Sequence, residues 1–206
     1  MNTNIISVGV FIDGGYYAKI NEGLDAQLSM QLKLNKLFDF VRTRISQIST
    51  VAYNDCQITE AHYFRGRYRA HDANQKHILL RERQFEDSLI ENDVIFHYKH
   101  LREVKNPSGT TVIEKGVDVW YALETYELAQ IRRFDYVVLI TGDADHEMLI
   151  KKLKAMKINV VLLTWNLGPQ SSTSPFLKEE ATLHIELNNE CNNDKNLLTQ
   201  LCKTIK

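Results

Sequence analysis

Four aspartates, Asp13, Asp118, Asp143 and Asp145, carry the chemistry that this sequence could perform. Asp13 follows the apolar run at 7–12 (SVGVFI) and precedes Gly14-Gly15, while Asp143 and Asp145 follow the run at 136–141 (YVVLIT) and Gly142. In open parallel sheets, ligands bind beyond the carboxyl ends of the strands. If these two strands are neighbours, three carboxylates crowd one region, and their repulsion calls for a cation or a shared proton. Oxygen-only donors suit Mg²⁺ or Mn²⁺ better than Zn²⁺. Such an ion, with open positions, can deprotonate a water and neutralise a phosphodiester.

Asp118 enters through Lys115-Gly116-Val117-Asp118-Val119, at the start of a predicted helix. There it serves equally well as a fourth metal-site acid or as a residue that caps the helix and favours its dipole. Glu124 lies six residues further, roughly 240° around the helix, so it should not share the face of Asp118. Taken singly, Asp13-Gly14 also fits a turn and Asp145 the cap of the next helix. The coincidence of Asp13 with Gly142-Asp143-Ala144-Asp145 at matching strand ends favours the site.

The elements that must position these acids follow from the hydrophobic pattern. Short, nearly continuous apolar runs at 7–12, 136–141 and 158–164 (INVVLLT) suit strands buried on both faces. Residues 145–156 form a predicted helix with Met148, Leu149, Leu153 and Met156 on its apolar face. Further predicted helices cover 32–48, 74–91 and 117–131, the last with Val117, Tyr121, Leu128 and Ile131 inward; strands cover 58–64 and 94–98. Residues 105–111 (KNPSGTT), 168–175 and 188–195 read as loops, and 196–205 as a last helix. Alternating helices and buried strands imply an α/β/α fold of three layers with a mainly parallel sheet. A length of 206 residues fits one domain, 1–206, with its core at about 5–187 and a C-terminal helix at about 195–206.

A local basic patch could serve a phosphate backbone. Arg65, Arg67 and Arg69 alternate with Gly66, Tyr68 and Ala70, and Lys76, Arg81 and Arg83 follow, against only Asp72 and Glu82. Tyr63 or Tyr68 could stack on a base. A solvated loop and helix face explains the patch equally well. Lys115 could contact a phosphate or lie free in solvent. His62, His71, His77, His97 and His100 lack metal-ligand spacing, whereas His146 adjoins Asp145 and could touch metal or substrate. Trp120 and Trp165 read as core or partner contacts.

The formal net charge of -1 excludes a polycation, so any nucleic-acid binding must be local. Apolar residues at 44% and charged residues at 25% describe a folded domain. The first fifteen residues lack the features of a secretory signal, and no apolar run is long enough to span a bilayer. Cys56, Cys191 and Cys202 are odd in number and form no CxxC, which points to a reducing cytoplasm.

At Val10-Phe11-Ile12-Asp13-Gly14, Lys115-Gly116-Val117-Asp118-Val119 and Thr141-Gly142-Asp143-Ala144-Asp145 the sequence resembles the NYN domain family of PIN-like metal-dependent ribonucleases, and within it the LabA-like branch. The resemblance spans roughly residues 5–187. It implies a PIN-like α/β/α fold whose acidic cluster holds Mg²⁺ or Mn²⁺ for phosphodiester hydrolysis, with RNA, or else single-stranded DNA, as partner. The family's metal-site aspartates fall on Asp13, Asp118, Asp143 and Asp145, and the acidic position later in that helix on Glu124. Two positions depart from the family pattern: Gly15, Tyr16 and Tyr17 stand where an asparagine often follows the first Asp-Gly, and His146 stands at a commonly aromatic position. A nucleic-acid-binding or regulatory module with weak or no cleavage is the alternative. A homo-oligomer is compatible with the sequence. An aspartyl-nucleophile phosphatase would place two aspartates one residue apart after the first strand, but Gly14 and Gly15 follow Asp13.

Overall fold

The computed structural model describes residues 5–75, 77–106 and 109–205. In chain order the elements are β1 (Ile6–Asp13), α1 (Gly14–Leu28), β2 (Met30–Leu32), α2 (Leu34–Ser49), β3 (Cys56–Arg67), α3 (Ala70–Gln75), α4 (Leu79–Glu91) and β4 (Val94–His100). Then follow β5 (Arg102–Asn106), β6 (Gly109–Ile113), α5 (Val117–Arg132), β7 (Tyr136–Ile140), α6 (Glu147–Ala155) and β8 (Asn159–Thr164). The chain closes with α7 (Pro175–Glu180), β9 (Leu183–Glu186), α8 (Leu187–Asn193), α9 (Leu197–Leu201) and β10 (Cys202–Thr204).

Six strands form one sheet in the order β4-β3-β1-β7-β8-β9, and every neighbouring pair is parallel. Strand alternation sends Val8, Val10 and Ile12 to one face of β1 and Phe11 to the other. The first face packs on apolar residues of α1, α2, α4, α8 and α9, and the second on those of α5, α6 and α7. The result is the three-layer α/β/α arrangement expected from the pattern, with a main sheet that is wholly parallel. From β1 the chain builds outward through β3 to β4, then returns to β7 on the other side of β1 and builds outward to β9. Strand order therefore reverses beside β1, and the crevice at the carboxyl ends of β1 and β7 is the switch point where such sheets bind ligands.

The structure differs from the sequence pattern at several elements. The segment after Asp13 is helix α1, which two glycines at its start and Gly23 obscure in the pattern. The single helix expected at 74–91 is two, separated by His77 at φ 55°; Lys76 lies outside the described residues. The loop expected at 105–111 overlaps the antiparallel pair β5–β6; residues 107–108 lie outside the described residues. The final helix stops at Leu201 because β10 pairs with β2, a tertiary contact that overrides the helical spacing. The loops expected at 168–175 and 188–195 hold a 3-10 turn at Pro169–Ser171 and most of α8. Met148 is 59% exposed and Ile131 62% exposed: α6 begins only at Glu147 and buries Leu149, Ile150 and Leu153, while α5 buries Val117, Tyr121, Thr125 and Ala129.

Candidate metal site

Asp13 ends β1 and simultaneously caps α1. Its Oδ1 accepts from the amides of Gly15 and Tyr16 at 2.9 and 3.1 Å, satisfying two of the free N–H groups that open a helix. The chain can turn this tightly only because position 14 is glycine: a Cβ there would lie 2.6 Å from the Phe64 carbonyl oxygen. Oδ2 of Asp13 accepts from the Thr141 hydroxyl at 3.1 Å, and the same hydroxyl oxygen lies 3.3 Å from the Asp143 amide that donates to it. One buried threonine at the end of β7 thus ties the two strand-end aspartates together.

Asp118 lies in the first turn of α5 and feels both of them. Its proton affinity is raised by partial desolvation, then by the charges of Asp13 and Asp143, while nearby His146 lowers it. Gly116, not Asp118, occupies the N-cap position of α5, and no side chain caps that helix. Asp118 is thus not the N-cap residue, although it stays in the first turn, where an acid favours the helix dipole. Asp145 is exposed and donates its amide to Asp143 Oδ1 at 3.0 Å, so Asp143 caps the 3-10 turn Ala144–His146.

His146 is 1% exposed, with its ring 4.5 Å from that of Tyr121, and neither ring nitrogen has a hydrogen-bonding partner among the described residues. Glu124 accepts from the Trp120 indole at 3.1 Å and acts on His62 and His97, away from the aspartates, as its angle around α5 implies.

Glu114 is a further acid that the sequence pattern did not single out. It accepts from the Gly66 amide at 2.7 Å, and its proton affinity is raised by desolvation and by Asp13 and Asp118. Its place just before Lys115-Gly116 was the only signal. Lys19 was also missed: with Tyr16, Gly142, Gln170 and both strand-end aspartates it lines a cleft of about 320 Å³. It sits on α1, which the pattern did not reveal.

The cationic residues divide into two groups. Arg67 is committed within the fold, at 2.6 Å from Glu86 and stacked 4.9 Å above the Tyr98 ring. Arg65 donates to the Tyr63 hydroxyl at 3.4 Å and lies within the field of Glu114. Arg69 and Lys115 are exposed. The Lys99 ammonium lies against Gly116, 3.0 Å from where a Cβ would stand, beside the same loop. Tyr63 is 0% exposed and cannot stack on a base. Trp165 is core, and Trp120 packs edge-on against Phe64 and His97.

Among the described residues no three His, Cys, Asp or Glu side chains are arranged as a ready cage for an ion. The donor chemistry nevertheless fits a hard cation that keeps much of its water and needs only one or two carboxylates from the protein. Asp118 and Glu114 are held unfavourably charged by desolvation and then by their acidic neighbours, and His146 acts on Asp118. A bound cation relieves that repulsion.

A parallel α/β/α sheet with acids gathered at its switch point defines the class, and the sequence match gives the family. The chain belongs to the NYN domain family, whose model matches residues 7–188; the match is to the family as a whole and does not distinguish the LabA-like branch. The fold is similar to the crystal structure of a protein of unknown function from Vibrio parahaemolyticus, with a TM-score of 0.58 at 17% identity over 91% of this chain and 96% of that one. No curated protein matches the sequence. No helix among the described residues is long and apolar enough to cross a membrane.

Proposed function

We propose that the protein is a metal-dependent nuclease that hydrolyses phosphodiester bonds in RNA, working in the reducing cytoplasm to which its three free cysteines are suited. One observation carries this reading. Asp13 and Asp143 are joined through Thr141, within the field of Asp118, at the switch point of a parallel sheet in a chain of the NYN family. Asp13, Asp118, Asp143 and Asp145 would hold Mg²⁺ or Mn²⁺, directly or through water. The ion supplies, when bound, an acidified water and neutralisation of the phosphate. Thr141 fixes the orientation of Asp13. Lys19 in the cleft, Arg65 within the field of Glu114, Lys99 against Gly116, and the exposed Arg69 and Lys115 would attract and align the phosphate backbone. Arg67 would contribute by bracing the end of β3 through Glu86.

The test is Asp143→Asn assayed on labelled RNA with Mn²⁺. Cleavage should disappear while the circular dichroism spectrum is retained; equal cleavage by both proteins would sink the assignment.

A binding or regulatory module with little turnover is the second reading, and Tyr16 favours it. The Tyr16 hydroxyl is consumed inside the fold, accepting from the Trp165 amide at 3.1 Å and lying 3.2 Å from the Ser171 carbonyl oxygen, so it offers no polar group to the cleft. Binding without turnover across several RNAs and metals would decide for this reading.

A further inference from the structure

A separate cleft of about 500 Å³ opens toward the amino ends of the strands, between α2, the first half of β3 and the turn that enters β4. Five consecutive residues of β3, 57–61, line it. Strand side chains alternate between faces, so five in a row reach one cleft only along the strand edge. The register explains why that edge is open: β3 pairs with β1 from Cys56 onward, whereas β4 joins β3 only at Ala61. On the side away from β1, alternate residues of 56–60 therefore present backbone hydrogen-bonding groups that no strand among the described residues pairs. Arg42 takes up only the Cys56 carbonyl, at 2.9 Å. Pairing with β1 also slips between Val8 and Gly9, leaving Thr59 unmatched, a bulge of the kind that re-aims a strand edge.

The walls specify what this edge would accept. Phe38 and Ile58 give it an apolar floor, and Asp39, Glu60 and Asp93 outnumber Arg42. Arg42 is spent on the carbonyls of Cys56 and Tyr53 and on the Tyr53 ring, 4.1 Å away. Glu60 is spent on Arg132 and His62. Among the described residues the Asp39 carboxylate holds only the Tyr53 hydroxyl and an exposed Lys36, and the Asp93 carboxylate has no partner.

We propose that this cleft binds an extended basic peptide of a partner protein by strand addition, in line with β4 along residues 57–60. Main-chain hydrogen bonds to the open edge hold it. An apolar side chain rests on Phe38 and Ile58, and a lysine or arginine sits beside Asp39 and Asp93. The site lies away from the aspartates and does not depend on the nuclease reading.

The test titrates the full chain with a fluorescein-labelled octapeptide of alternating lysine and valine, read by anisotropy. Two control peptides carry either N-methyl groups on alternate amides or glutamate in place of lysine. The lysine peptide should bind and protect from hydrogen exchange those amides of 57–60 that face away from β1, and each control should bind at least about tenfold more weakly. Asp93→Lys should weaken the lysine peptide by a similar factor and strengthen the glutamate peptide, a reversal that misfolding cannot produce. Equal binding of the N-methylated peptide, indifference to Asp93→Lys, or no binding at millimolar peptide would each overturn the proposal. So would sedimentation showing the edge closed by a second copy of the chain.

Discussion

Thr141 donates its hydroxyl to Asp13 Oδ2 across 3.1 Å, linking the end of β7 to the end of β1. The threonine is buried, and its oxygen also accepts from the Asp143 amide. Thr141→Val keeps the shape but removes both bonds, leaving the Asp143 amide and one oxygen of Asp13 without that partner. The expected cost is about 1–2 kcal/mol of stability. Mn²⁺ affinity should fall roughly tenfold, because groups that orient metal ligands carry that much of the binding. Urea denaturation in EDTA measures the first and calorimetric titration the second. Unchanged Mn²⁺ affinity would show that Asp13 is not oriented for a metal.

Asp118 should trade stability for function. Its raised proton affinity means that the metal-free fold holds this carboxylate at a cost, present above the carboxylate range and relieved as pH falls through the folded pKa. Asp118→Asn removes the repulsion. In EDTA at pH 7 it should therefore stabilise the protein by about 0.5 kcal/mol, a value kept small by solvent screening at this exposed site. Mn²⁺ should stabilise the wild type more than the variant. A variant that is less stable in EDTA would contradict the repulsion argument.

Gly142 is pressed between two parts of the cleft. A Cβ there would stand 2.7 Å from the Ser172 carbonyl oxygen and 2.7 Å from the Tyr16 ring. Gly142→Ala must push the 169–173 segment or Tyr16 outward, at about 1–3 kcal/mol for overpacking. The urea midpoint should fall, and Lys19 and Gln170 should shift relative to Asp13 and Asp143, which line the same cleft. An unchanged midpoint would mean that the segment yields without cost.

How much of this was legible in the sequence depended on whether the cause was local. Strand-end aspartates announce themselves because β1, β7 and β8 are buried on both faces and read as unbroken apolar runs. The layered fold follows from their alternation with helices. Helix α1 was hidden because Gly14 answers to the Phe64 backbone, a neighbour from another strand, and not to helix propensity. The Thr141 bridge, the Glu114 contact with Gly66 and the pairing of β10 with β2 join residues far apart in the chain. Periodicity registers none of these. The same holds for Arg67, whose pairing with Glu86 separates it from its alternating neighbours Arg65 and Arg69.

His62 and His97 give the fold a pH dependence of their own. Their rings share a 3.0 Å hydrogen bond and stack against Phe11 and Phe64, respectively, and Trp120 lies edge-on to His97. A single proton serves that bond, so charging both rings breaks it. Desolvation is the main cause that lowers both pKa values; Glu60 opposes it at His62, and the charge of His62 reinforces it at His97. The unfolded histidines titrate near ~6.5 and the folded ones lower, so between those values the unfolded chain binds more protons. Stability is therefore fully retained above the unfolded pKa, falls as pH drops below it, and stops falling beneath the folded pKa. The slope should reach at most about 1.4 kcal/mol per pH unit for each histidine. His97→Gln, which can still bond to His62, should flatten the decline between pH 6.5 and 5.5 but not abolish it, since His184 is shifted the same way by burial and Lys178. Urea midpoints for the two proteins across that range decide the matter, and identical slopes would remove His97 as a source of the effect.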